Sequence, residues 1–162
     1  MPESTQRLFN HLIQVENVSA QLYLAMSSYF GKIGLSGMEN WLRLQYKEER
    51  GHAEKLIDHV VDRDGTVRLL PIPEQPSSFG TPLDAFQNVL RHEQYVTEQY
   101  REAYGIVTRE NDLESLPIIL DFLREQVEEE AQADVIVDRL RISGSDPAAI
   151  LLIDRELGQR GR

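Results

Sequence analysis

The stretch Tyr46-Lys47-Glu48-Glu49-Arg50-Gly51-His52-Ala53-Glu54-Lys55-Leu56 reads as helix, with Glu49 and His52 three residues apart on one face. That face continues through Leu42 and Gln45 on one side and Leu56 and His59 on the other, in steps of three and four. A carboxylate and an imidazole therefore occupy a stripe that should be apolar. Burying ionisable groups there costs several kcal/mol per ion unless something compensates.

Three more stretches carry the same interruption. A first helix is expected over residues 4–30, with Ser4 as N-cap and Gly31 and Gly34 after it; its stripe is Leu12, Glu16, Ser19, Tyr23, Met26 and Phe30. The quoted stretch belongs to a second helix over 37–64, started by the capping-box spacing of Ser36 and Glu39 and stopped at Gly65. Thr81-Pro82-Leu83-Asp84 opens a third over 82–109, with the stripe Leu83, Phe86, Leu90, Glu93, Thr97, Tyr100, Tyr104 and Val107. A fourth is expected over 112–143, capped by Asn111 or Asp112, with the stripe Ile119, Phe122, Gln126, Glu129, Ala133, Ile136 and Leu140. Asp146-Pro147 then begins a short helix over 147–158, too short to extend the bundle.

One connection is long. Residues 66–81 hold Pro71, Pro73 and Pro76 and no helical pattern. Sixteen residues extend to roughly 50 Å, whereas a helix of this length spans about 40 Å. The connection is long enough to cross the full bundle and start the third helix parallel to the second. The expectation is an all-α, single-domain four-helix bundle with a long crossover between helices two and three and a short fifth C-terminal helix.

Composition narrows the chemistry. The chain has 162 residues and no cysteine, which removes disulfides, thiolate metal sites and cysteine nucleophiles. A metal here must be held by His and carboxylates, so hard or borderline ions are favoured. The formal net charge of −10 argues against nucleic-acid binding, which needs a basic surface. No signal peptide and no membrane-length apolar run is visible, so a cytoplasmic location is expected.

Each long helix thus carries an ionisable group near its middle: Glu16, Glu49 with His52, Glu93, and Glu129. Midpoints meet in a bundle of near-equal helices. Four carboxylates and a neutral imidazole at one level carry about −4, which cannot persist dry and unpaired, and two divalent cations cancel it. Singly, each feature has a bland reading. A lone Glu-x-x-His is more often a solvated surface pair, Glu128-Glu129-Glu130 a solvated face, Tyr23 a packing residue. Four independent stripes broken by one residue class at the same height follow instead the pattern of di-iron carboxylate bundles. The fourth helix departs from that pattern: Gln126-Val127-Glu128-Glu129 has no histidine.

The runs Glu16 to Tyr23, Glu48 to His52, His92-Glu93-Gln94, Glu125 to Glu129 and Ile153 to Leu157 resemble the prokaryotic non-haem ferritins over nearly the whole chain. The resemblance implies a homo-oligomeric shell of twenty-four subunits. Such a shell oxidises Fe²⁺ with dioxygen or peroxide and stores ferric oxyhydroxide inside. It also implies a first iron site at Glu16, Glu49 and His52, and a second at Glu49, Glu93 and Glu129, with Glu49 bridging and Gln126 close by. A third, weaker iron site on the inner surface would use Glu48, Glu125 and Glu128, with Glu129 shared. Tyr23 matches the tyrosine that can supply an electron, and with Glu49 and His52 it makes up the expected catalytic set. Haem is not expected: bacterioferritins place a methionine where Arg50 stands and a histidine where Glu129 stands. The competing function is a structural helical assembly whose carboxylates bind another divalent metal without redox turnover.

Overall fold

A computed structural model describes residues 1–161. Five helices follow in order: α1 (Glu3–Lys32), α2 (Ser36–Asp62), α3 (Pro82–Arg109), α4 (Leu116–Ser143) and α5 (Pro147–Leu157). No strand occurs among the described residues. The all-α architecture with a short C-terminal helix is as expected, and the helix ends show where local signals were overridden.

Three helices end in the same way. Leu35 donates to the Phe30 carbonyl, Gly65 to that of Val60, and Asp112 to that of Val107. In each case the residue before the donor is left-handed: Gly34 at φ 85°, Asp64 at 56° and Asn111 at 52°. Asn111 therefore terminates α3 instead of capping α4. Residues 112–115 form a separate turn, and α4 starts at Leu116 rather than at 112.

The start of α2 is also a correction. The Ser36–Glu39 box does not form, and α2 has no side-chain cap from its own flank. Its Met38 amide instead donates to the Asp154 carboxylate of α5, at 2.7 Å. An acid from the end of the chain thus serves the N-terminus of the second helix. Ser4 likewise lies inside α1, which starts at Glu3 without a side-chain cap. The Thr81–Asp84 capping box forms as read.

The crossover lies along α1. Gln6 accepts from the Thr66 amide, Asn10 accepts from the Arg68 amide, Gln14 donates to the Pro71 carbonyl, and Tyr29 donates to that of Gly80. These contacts climb α1 from its beginning to its end. The connection therefore traverses the bundle, and α3 runs in the direction of α2.

Two apolar clusters fill the interior. One holds Met26, Phe30, Trp41, Phe86, Leu140 and Ile153; the other holds Phe9, Leu12, Leu56, Val107 and Ile119. Each large buried side chain contributes about 1.5–3 kcal/mol. Between the clusters, at mid-height, lies a layer of buried polar groups that includes Glu16, Glu49, His52, Glu93 and Gln126. The α3 stripe needs one amendment: Tyr104 is 42% exposed, and Ala103 takes the inward position.

Candidate metal centre

Glu16 on α1 and Glu49 and His52 on α2 form one cluster, with a ligand atom of each within 4.8 Å of the others. The His52 Nδ1 lies 3.1 Å from Glu49 Oε2 and 3.7 Å from Glu16 Oε2. Helical spacing aligns Glu49 with His52, and the dense packing of α1 on α2 brings Glu16 to them. The far ring nitrogen, Nε2, lies 3.1 Å from Glu125 of α4. The phenol of Tyr100 donates to Glu16 Oε1 from α3. Glu16 Oε2 is buried without a hydrogen-bond partner. A buried carboxylate oxygen left unsatisfied is costly, and a cation is the ligand that would use it.

The other half of the layer is built from α3 and α4. Glu93 accepts from the Tyr23 phenol through one oxygen and from Gln126 Nε2, at 3.0 Å, through the other. Glu129 accepts from Gln45 Nε2 at 2.9 Å. The carboxylates of Glu93 and Glu129 are thus each held by neutral donors and do not join the Glu16–Glu49–His52 cluster. Nor are Glu48, Glu125 and Glu128 gathered at one point: Glu48 pairs with Arg160, Glu125 with His52 and Lys55, and Glu128 lines a 460 Å³ cleft with Glu125.

Burial and mutual repulsion govern protonation. Burial works to lower the His52 pKa, but the neighbouring Glu16 and Glu49 carboxylates outweigh it and push the imidazole up to about 11. Burial pushes Glu49 well above the usual carboxylate range, despite its bond to His52. It also raises Glu93 to about 7 and raises Glu129. The metal-free layer therefore sheds negative charge by holding protons. An ion held by these groups would displace those protons, so its binding would be coupled to proton release.

Sequence reasoning missed two groups. Tyr100 is a member of the α3 stripe, where a buried phenol hydroxyl nearly always needs a partner. His92 lies beside Glu93 but outside the α3 stripe, so its spacing carries no signal. It is half-buried, lies edge-on to Tyr23 and meets the Ser19 hydroxyl at 2.7 Å. Burial holds its pKa down at about 4, so it is neutral.

Four carboxylates and an imidazole at mid-height, drawn from all four long helices, interrupt the core of a four-helix bundle of the ferritin-like class. The chain matches the Ferritin-like domain family over residues 6–143 and belongs to it. It is 39% identical over 158 residues to the bacterial non-heme ferritin of Bacteroides fragilis, covering 98% of each chain. It is 31% identical to that of Staphylococcus aureus, covering 93% of this chain and 91% of the relative. Among solved structures, the open-pore ferritin of the hyperthermophilic archaeon Archaeoglobus fulgidus superimposes with a TM-score of 0.97 at 42% identity, over 99% of both chains. No helix among the described residues is long and apolar enough to cross a membrane.

Proposed function

We propose that this ferritin is a ferroxidase that takes up Fe²⁺ as substrate at the mid-bundle centre, oxidises it with dioxygen and stores the ferric product in a homo-oligomeric shell. The observation that carries the reading is the Glu16–Glu49–His52 cluster with its unsatisfied Glu16 oxygen, facing Glu93 and Glu129 across the bundle. The donor set suits iron. Carboxylates favour Fe³⁺ over Fe²⁺, so they favour loss of an electron from each bound ion.

The residues divide the work. Glu16, Glu49 and His52 hold the first ion, with Tyr100 orienting Glu16. Glu49, together with Glu93 and Glu129, would also hold a second ion. Gln126 orients Glu93 and brings no nitrogen ligand, so the second position is the weaker one and suits transfer onward to storage. Tyr23 stands on Glu93, positioned to donate an electron and pass its proton to that carboxylate. Glu48, Glu125 and Glu128, apart in the metal-free chain, would have to converge on a third ion at the inner surface.

Self-assembly into the twenty-four-subunit shell is part of the same reading. Leu151 and Leu152 of α5 and Ile142 of α4 are exposed apolar side chains near one end of the bundle. Copies of α5 would cover them. A cytoplasmic location suits the proposed chemistry. The test is stopped-flow oxidation of two Fe²⁺ per subunit in air-saturated buffer, with mass measured by light scattering on the same sample. Fast oxidation by an assembled shell is expected; oxidation no faster than in buffer, in a protein that binds Zn²⁺ normally, would leave a non-redox metal assembly in its place.

A further inference from the structure

The tail after α5 turns back along α2. Asn40 Nδ2 donates to the Arg160 carbonyl at 3.3 Å, and the Arg160 guanidinium lies over the Trp41 ring, 4.9 Å from its centroid. From there it pairs with Glu48 at 2.7 Å and donates to Gln45 Oε1. Gln45 in turn donates through Nε2 to Glu129. Trp41, Gln45 and Glu48 stand at positions i, i+4 and i+7, one face of α2. The tail has little freedom to go elsewhere, because α5 is locked onto α2: Asp154 holds the Met38 amide, and a Cβ on Gly37 would sit 1.6 Å from the Asp154 carbonyl oxygen.

We propose that Arg160 is a specificity-determining residue for the inner-surface ion site. It is a tethered cation that competes with a divalent ion for Glu48 and, acting as a positioning residue through Gln45, holds Glu129 turned toward the amide. This rests on the reading of Glu48, Glu125, Glu128 and Glu129 as a site for a third ion. The planar guanidinium suits both tasks, since its fork serves Gln45 and Glu48 together while its face packs on Trp41. An ion that binds Glu48 must first displace this arm. The apparent affinity then falls by the fraction of time the arm is away. An arm in place about nine-tenths of the time weakens binding about tenfold. Ions able to displace it are selected for charge, so divalent and trivalent cations pass where monovalent ones do not.

The test is calorimetric titration of the assembled, full-length, metal-free protein with Zn²⁺ alone, which binds without redox chemistry. The parent is compared with Arg160→Ala, Arg160→Lys and Glu48→Gln, and melting temperatures are measured alongside. Arg160→Ala should tighten the weakest class of sites about tenfold and leave the tightest class, at Glu16, Glu49 and His52, and the melting temperature in place. Arg160→Lys keeps the charge without the fork, and should tighten that class by a smaller factor; it also reads the effect should the alanine variant assemble poorly. If both Arg160 variants match the parent while Glu48→Gln weakens the last class, the arginine is no competitor and the site stands without it. If Glu48→Gln also changes nothing, or no weaker class appears in any protein, the inner-surface site itself is wrong and the proposal falls with it.

Discussion

The Tyr23 phenol of α1 donates its hydrogen bond to the Glu93 carboxylate of α3, joining the two halves of the bundle at the centre of the polar layer. Both are buried, Tyr23 at 0% and Glu93 at 1% exposure, so water cannot replace the bond if it is lost. Burial and the charge of Glu93 also hold the phenol well above its ordinary pKa, so the proton stays on the oxygen until an electron leaves. Tyr23→Phe removes the donor and keeps the ring. A hydrogen bond to a charged group contributes about 1.5–3 kcal/mol. The metal-free variant should lose stability of that order in chemical denaturation above pH 7. It should still bind two ions per subunit and oxidise them, and differ in the radical signal seen by electron paramagnetic resonance after freeze-quench. Identical signals from the two proteins would remove Tyr23 from the chemistry.

Glu93 gives the metal-free protein a distinctive pH dependence. Its pKa rises from 4.5 to about 7, chiefly by burial, so the folded form keeps a proton that the unfolded chain has released. The stability this contributes is complete below pH 4.5 and is lost as the pH climbs through 7. Glu93→Gln abolishes the window. The stability difference between variant and parent should shift in favour of the variant by about 3 kcal/mol from pH 4.5 to above 7, at 1.36 kcal/mol per unit. His92 has the opposite sign: its contribution is full above 6.5 and is lost as the pH falls through about 4. It is present in both proteins and cancels in the difference. Urea titrations from pH 4 to 8 in the presence of a chelator measure this, and a pH-independent difference would contradict it. Added Zn²⁺ should stabilise the parent more than the variant.

The ligands should separate by rank in stopped-flow oxidation. Glu49→Ala removes the carboxylate assigned to both ions and should abolish the fast phase. His52→Ala takes away the only nitrogen ligand of the first position, and a loss of about 10–100-fold is expected. Glu128→Ala leaves both positions intact; the first two irons should oxidise at the parent rate, with the oxygen consumed per iron altered. Fast oxidation by Glu49→Ala would sink the centre as drawn.

Two glycines of α2 should respond in opposite senses to alanine. At Gly37 the new Cβ meets the Asp154 backbone oxygen at 1.6 Å, a clash that only movement of α5 can relieve. Gly37→Ala should undock α5, and light scattering should show smaller particles while circular dichroism stays helical. At Gly51 nothing lies within 4 Å of an added Cβ. Gly51→Ala should stabilise the fold by about 0.5–1 kcal/mol and leave assembly unchanged. A Gly37→Ala protein that assembles like the parent would mean that α5 does not hold the copies together.

The heights of Glu16, Glu49, Glu93 and Glu129 were legible because each interrupts a regular apolar stripe, and the crossover because its length excludes a tight hairpin. What escaped was carried by contacts between distant segments. Asp154 caps α2 across 116 residues, and no local spacing announces it. Glu125 reaches His52, although the resemblance assigned it to the inner surface. Asn111 stands where a helix start and a helix end look alike, since asparagine favours both an N-cap and the left-handed position that closes a helix. Gln45 lies in the α2 stripe, but its partners, Glu129 and Arg160, come from α4 and the tail.

The crossover along α1 also bears on the order in which the chain assembles. The closest packing is of α1 on α2 and of α3 on α4, so the bundle is two local hairpins tied by one long loop. Local hairpins close quickly, whereas docking them must first overcome the entropy of the loop. Glu16, Glu49 and His52 belong to the first hairpin; Glu93, Gln126 and Glu129 belong to the second. The seam that forms last is therefore the charged one, and in pulse-labelled refolding the amides of both hairpins should gain protection before the Tyr23–Glu93 bond forms. A divalent ion bridging Glu49 to Glu93 would act as a clasp across that seam, slowing separation of the halves more than it speeds their meeting.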